Sequence, residues 1–331
     1  MLGVPVYGKN KAAIQNAVNA APDGQRINLS GDYDFSADQN NPLVLNKNVE
    51  LVGINACRFL GNTSNPNAVK IYGVSQRLVL RNINFVATAP SGSVSVVYID
   101  EEGDVQDVLF DNCEWSGPGT NGSNYNAIST NQYNEFNGAA ARIYKMTMVN
   151  PYIHDFGRMG IELLAHKWDR DNRITNVNII SPRIYRCGLY NPSGGGQNGM
   201  GISASGDVAE VTISNADIQD CLLGLELIGV RNFAVSNSRI KSLRTYTVTE
   251  NGKLATHGSV GISTTNGAGN VDGTSAARYP SGTVTGGNIV VSGRPLAGYN
   301  VGAVSFNSLD LIAGESIQFQ HGVGTKFVGI N

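Results

Sequence analysis

Charge is scarce in this 331-residue sequence. Asp, Glu, Lys and Arg together make up 15% of it, and 24 basic against 26 acidic residues leave a net charge of −2. That balance calls for neither nucleic acid nor an anionic membrane surface as a partner; an uncharged or mixed polymer fits it better. Long apolar runs are missing too, which argues against membrane insertion through a helix. The opening Met1-Leu2-Gly3-Val4 lacks the basic segment and apolar core of a signal peptide. The expectation is that a signal has been removed or that the protein leaves its cell by lysis. The four cysteines, Cys57, Cys113, Cys187 and Cys221, have no metal-binding spacing such as CxxC. No cofactor or metal site is expected. Gly194-Gly195-Gly196 is not followed by the Lys-Ser/Thr of a phosphate cradle, and no Ser, Cys or His nucleophile constellation stands out.

What is abundant is Gly, with 40 residues, and Asn, and a short phrase recurs around them: apolar, any, apolar, any, Asn, any, any, apolar. Its copies include Leu78-Leu80-Asn82-Phe85, Val108-Phe110-Asn112-Trp115, Met146-Met148-Asn150-Ile153, Val177-Ile179-Ser181-Ile184, Val211-Ile213-Asn215-Ile218 and Phe233-Val235-Asn237-Ile240. Val49-Leu51-Gly53 and Ile289-Val291-Gly293-Leu296 read as weaker copies. Successive Asn positions lie about 30 residues apart, a period that marks a solenoid. Alternation with period two says strand rather than helix. Second strands follow, as in Gly160-Ile161-Glu162-Leu163, Gly201-Ile202-Ser203, Gly224-Leu225-Glu226-Leu227 and Gly261-Ile262-Ser263. The predicted fold is all-β, a single-stranded right-handed parallel β-helix. The Asn amides are expected to form a buried ladder, each bonded to its copies above and below. Cys187 and Cys221 fall in one column and read as small stacked core residues; a disulfide between them is allowed but not required, which points to synthesis in a reducing cytoplasm.

These repeats resemble the right-handed parallel β-helix proteins of the pectate lyase and phage tailspike kind. The N-terminus adds to the likeness. Asn10 before Lys11-Ala12-Ala13-Ile14-Gln15-Asn16-Ala17-Val18 reads as an N-capped amphipathic helix, followed by Arg26-Ile27-Asn28-Leu29 and Gly31-Asp32-Tyr33. Tailspikes and their relatives begin with a similar segment, although the acidic Gly-Asp-Gly run that usually precedes it is missing here. Residues 1–30 are thus assigned to a capping segment and 31–263 to the β-helix. Residues 264–331 are either degraded final rungs or an oligomerisation module.

Insertions between the rungs carry Tyr125, Tyr133, Phe136, Trp168, Tyr190 and Tyr246, and loops beside a rigid stack are where function usually sits. Aligning the second strands gives a column of outward residues: Asp100, Ser129, Glu162, Ser203, Glu226 and Ser263. Glu162 and Glu226, two rungs apart, should have backbones about 9.6 Å from each other. That suits the acid and base of an inverting glycosidase, though outward carboxylates also serve solubility. Asp155, Arg186 and Asp220 form a second column, either a charged-sugar site with Asp155 and Asp220 as a competing catalytic pair or a structural ion-pair ladder. Arg158 lies in the turn joining the two columns, and with Trp168, Tyr185, Arg186 and Tyr190 it completes the proposed substrate contacts. Arg239-Ile240-Lys241 looks like the Arg-Ile-Lys of polygalacturonases, but the aspartate elements that should precede it are absent, so it is read as rung geometry. Asp169, Asp171 and Arg173 are the only hint of a calcium lyase.

The resemblance implies a homotrimeric tailspike-like protein that binds a bacterial surface polysaccharide and depolymerises it, by hydrolysis or β-elimination. Such a protein is made in the host cytoplasm and acts outside the cell on the virion tail. The alternative is a non-catalytic virion fibre or adhesin that binds its receptor through the same loops; a secreted lyase or epimerase is a third reading.

Overall fold

Residues that alternate inward and outward on a strand cannot bury their apolar side alone, and here each short strand pairs in parallel with its copies on the rungs before and after. The computed structural model describes residues 3–36, 41–61, 67–87, 94–100, 102–119, 125–131, 141–165, 173–188, 199–250, 253–266, 279–299, 301–320 and 324–331. It is a right-handed parallel β-helix whose rungs have three faces. The first face holds strands such as Met146–Val149 and Val177–Ile180, the second Tyr152–His154 and Arg183–Tyr185, and the third Ile161–Ala165 and Met200–Gly206. The first two faces join in a 16-stranded sheet because strands such as Leu78–Val86 run through the bend between them; the third is a separate 10-stranded sheet.

The bend explains the recurrent Asn, and not by the expected buried ladder. Asn82, Asn112, Asn150, Asn215 and Asn237 are exposed, and all have φ between 49° and 55°. Asn tolerates this left-handed backbone better than other residues with a Cβ, because its short amide bonds locally. One bond of the expected kind is present, from Asn150 Nδ2 to Asn112 Oδ1 at 3.0 Å. Ser181 takes the same conformation at φ 51°. In the Glu50–Leu60 strand the turn is made not by Gly53 but by Asn55 and Ala56, at φ 56° and 57°, across a register shift.

Inside, the eighth residue of each copy stacks on the next. Phe59, Phe85 and Trp115 form an aromatic pile with centroids 5.2–5.3 Å apart, and Ile153, Ile184, Ile218, Ile240 and Ile289 continue it. That register corrects one copy of the phrase. Ile289 pairs with Ile240, so it holds the eighth place rather than the first, and the repeat there is Gly282-Val284-Gly286-Ile289. Gly286 takes the Asn position at φ 62°, and Ser308 does the same at φ 52° in the following strand, Val304–Ala313. Strands run on in the same parallel sheets to Lys326–Ile330.

The helix Lys11–Ala20 forms as its sequence predicts, with Asn10 Oδ1 accepting from Ala13 N at 2.9 Å and Ile14 and Val18 fully buried. Its Gln15 receives Val44 N at 2.8 Å and donates to Val44 O at 3.1 Å, closing the edge of the first third-face strand, Leu43–Leu45. All four cysteines are buried free thiols, and burial together with its neighbour Cys221 pushes the Cys187 thiol up. No helix is long and apolar enough to cross a membrane among the described residues.

Candidate functional site

The third face is aimed by a column of glycines. A Cβ on Gly160, Gly201, Gly224 or Gly261 would lie 2.4–2.8 Å from a carbonyl oxygen of the next rung and 2.5–3.0 Å from the Cγ2 of Ile184, Ile218, Ile240 or Ile289. On these four rungs Gly brings the third strand this close to the second face, whereas the two preceding rungs carry Ala127 and Val96 at the same register. Two residues on, the chain presents an outward column paired in register: Tyr98, Ser129, Glu162, Ser203, Glu226 and Ser263. Asp100, predicted for this column, stands two residues beyond it; Tyr98 is the residue paired with Ser129. The insertion before Ser129 hides that offset in the sequence.

Outward does not mean solvated here. Glu162 is 5% exposed, and its carboxyl is surrounded by donors. Asn126 Nδ2 and Ser129 Oγ both donate to Oε2, at 2.8 and 3.0 Å, and Arg158 Nη2 lies 3.2 Å from Oε1. Among the described residues Glu226 has one donor, Ser203 Oγ, at 2.8 Å from its Oε2. Burial, reinforced by the negative charge of Glu162 and opposed by the Ser203 hydrogen bond and Arg158, pushes its carboxyl up to about 7. The two acids share a column yet face opposite environments, one rich in donors and one poor. Each leans toward the rung before its own, so their spacing stays near two strand separations, about 9.6 Å.

The turn that supplies Arg158 is fixed from below. Asp155 reverses the chain at φ 64°, Phe156 is buried with its ring stacked on Tyr125 at 6.0 Å and 4°, and Arg158 N donates to Tyr125 O at 3.0 Å. Asn126 joins in, accepting Met159 N on Oδ1 at 3.1 Å, so its amide is committed at both ends. Asn126 escaped the sequence reading. The signal was a polar residue at the register position where later rungs carry Met200, Leu223 and Val260.

Other predicted site residues lie elsewhere. Asp155 is gripped by Arg186 through bonds of 2.6 and 2.8 Å and by His154 Nδ1 at 2.7 Å; the Arg186 guanidinium and His154 hold its carboxyl below the usual range. Asp220, exposed, turns the chain at φ 55° on the next rung. Asp155, Arg186 and Asp220 are bend residues between the second and third faces on three successive rungs, and the ion pair among them joins Asp155 and Arg186. Tyr185 is on the second face, its hydroxyl donating to Asp217 Oδ2 at 2.7 Å, and burial and that carboxylate push it up to about 12. Trp168 and Tyr190 lie outside the described residues, as do Asp169 and Asp171, while Arg173 is buried. Arg239 and Lys241 point outward from the second face around the inward Ile240. Among the described residues no three His, Cys, Asp or Glu side chains gather in a way that would hold a metal. A depression of about 400 Å³ beside the capping helix, lined by Lys11, Gln15, Asn19 and Asn46 among others, has no acid to offer and is remote in sequence from the carboxyl pair.

No protein-family model matches the sequence, and no curated protein matches it. Among solved structures, the chain is similar to the GH136 lacto-N-biosidase from Eubacterium ramulus, with a TM-score of 0.59 and 10% identity over 95% of this chain. It spans 64% of that enzyme's length. It also overlaps the A-module of a mannuronan C-5 epimerase from Azotobacter vinelandii, with a TM-score of 0.43 and 15% identity over 99% of this chain and 96% of that one. For a family 28 exopolygalacturonase from Yersinia enterocolitica the values are 0.39 and 9% over 99% and 78%. At such identities the shared property is the fold, which the lacto-N-biosidase places among the parallel β-helices.

Proposed function

We propose that this β-helix is a polysaccharide-cleaving glycosidase of the inverting kind, with Glu226 as general acid and Glu162 as general base. The observation that carries the reading is the contrast between the two acids. Glu226, pushed up to about 7, keeps a proton to give near neutrality, whereas three donors on Glu162 suit a carboxylate. Their spacing is near the upper end of the roughly 6.5–9.5 Å that leaves room for a water between base and sugar. Glu226 would hand its proton to the glycosidic oxygen as the C–O bond breaks. On the opposite face of the sugar, Glu162 would take a proton from the water whose oxygen bonds to the anomeric carbon. One new reducing end results, and solvent restores both protonation states.

The finer reading is a tailspike-like homotrimer of a virion tail, acting on a bacterial surface polysaccharide. It is supported by the capping segment around Ala12-Ala13-Ile14-Gln15 and by the repeat pattern. A non-catalytic fibre is the second reading, favoured by the fact that both acids are bonded within the protein. The test is incubation with a panel of capsular, O-antigen and exopolysaccharides, following size, reducing ends and the ultraviolet absorbance of unsaturated uronates. New reducing ends without that absorbance support the hydrolase. Absorbance would replace it with a lyase, and binding without cleavage would favour the fibre.

A further inference from the structure

We propose that Arg158 is the positioning residue that divides the two carboxyls of the third face into a base and an acid, by pairing with Glu162 while its charge also reaches Glu226; this rests on the acid and base reading above. Arg158 Nη2 meets Glu162 Oε1 at 3.2 Å, and Asn126 and Ser129 donate to the other oxygen, so among the described residues both oxygens of Glu162 are met by donors. Arg158 also opposes the rise that burial and Glu162 impose on Glu226. Its Nε is closed off from solvent and makes no hydrogen bond among the described residues. The groups that face the pair from the flanking strands are Asn126 and Ser129 on one side, Ser203 between the two acids and Ser263 beyond Glu226. None of these titrates in the relevant range. Among the described residues Arg158 is therefore the cation that acts on both acids.

Protein labelled with carboxyl-13C glutamate allows the two acids to be titrated by NMR without substrate, with Glu162→Gln and Glu226→Gln assigning the signals. In Arg158→Met and Arg158→Gln the upper titration step of the pair should move up by about one pH unit. Arg158→Lys, which keeps the charge, should restore the wild-type step. Folded neutral variants that titrate as wild type would overturn the proposal. Should neither neutral variant fold, the double variant Glu162→Gln with Arg158→Gln, which leaves neither partner unpaired, is compared with Glu162→Gln alone: Glu226 should titrate higher in the double variant, and an equal step would overturn the proposal. Because no substrate is involved, the two claims fail separately. A shift without cleavage of any polymer keeps the charge assignment and removes the hydrolase, and cleavage with an unshifted titration does the reverse.

Discussion

Glu226 shows how far a strand position can change the chemistry of a side chain. Its carboxyl is raised from the ordinary range near 4.5 to about 7 in the folded protein. A raised folded value means that the folded state holds the proton more tightly than the unfolded chain. Its contribution to stability is therefore complete below about 4.5 and is lost as pH rises through about 7. Glu226→Gln removes the titration. Relative to wild type, the variant should gain about 2 kcal/mol in chemical denaturation between about pH 5 and about pH 8. The bend asparagines carry a different lesson. If their left-handed backbone is what matters, Asn215→Ala should lose about 1 kcal/mol while Asn215→Gly stays within about 0.5 kcal/mol, measured by denaturant unfolding. Equal losses in the two would restore the amide ladder.

The carboxyl pair was legible in the sequence because period two fixes which residues of a strand face outward, and Glu162 and Glu226 sit at matching places. Their unequal surroundings were not. Ser129 already stood next to Glu162 in the aligned column, but that its hydroxyl and the amide of Asn126 both turn to the Glu162 carboxyl follows only from the paired structure.

Among the elements, the four third-face strands that follow Gly160, Gly201, Gly224 and Gly261 depend on that glycine column. A Cβ on Gly201 would sit 2.8 Å from both Gly224 O and Ile218 Cγ2. Gly201→Ala should destabilise by about 1–3 kcal/mol by overpacking. It should also lower turnover by shifting Ser203, the donor to Glu226. Thermal melts and rates on the same preparation check both. At this scale the sequence located strands and bends well where Asn marks the bend, and slipped by a strand at Ile289, where Gly286 stands in for Asn and the phrase loses its signature. The Asp155 and Arg186 column was visible as charges in register, but only the bidentate pairing shows that its acid is engaged.

The whole molecule is a stack in which each rung covers its neighbour, so its open start needs covering. Ile14, fully buried between the capping helix and the first rungs, should cost about 3 kcal/mol when changed to Ala, read from denaturant unfolding. Fold class was legible at this scale because the repeat is a global property written locally, while the chemistry of the stack depends on which side chains meet across rungs. The most direct measurement of the central claim is the rate of reducing-end release by wild type, Glu162→Gln and Glu226→Gln on a polymer the wild type cleaves, with binding measured alongside. The acid and base assignment predicts that each variant loses at least about 100-fold in rate while still binding the polymer. Wild-type turnover in either variant would contradict it.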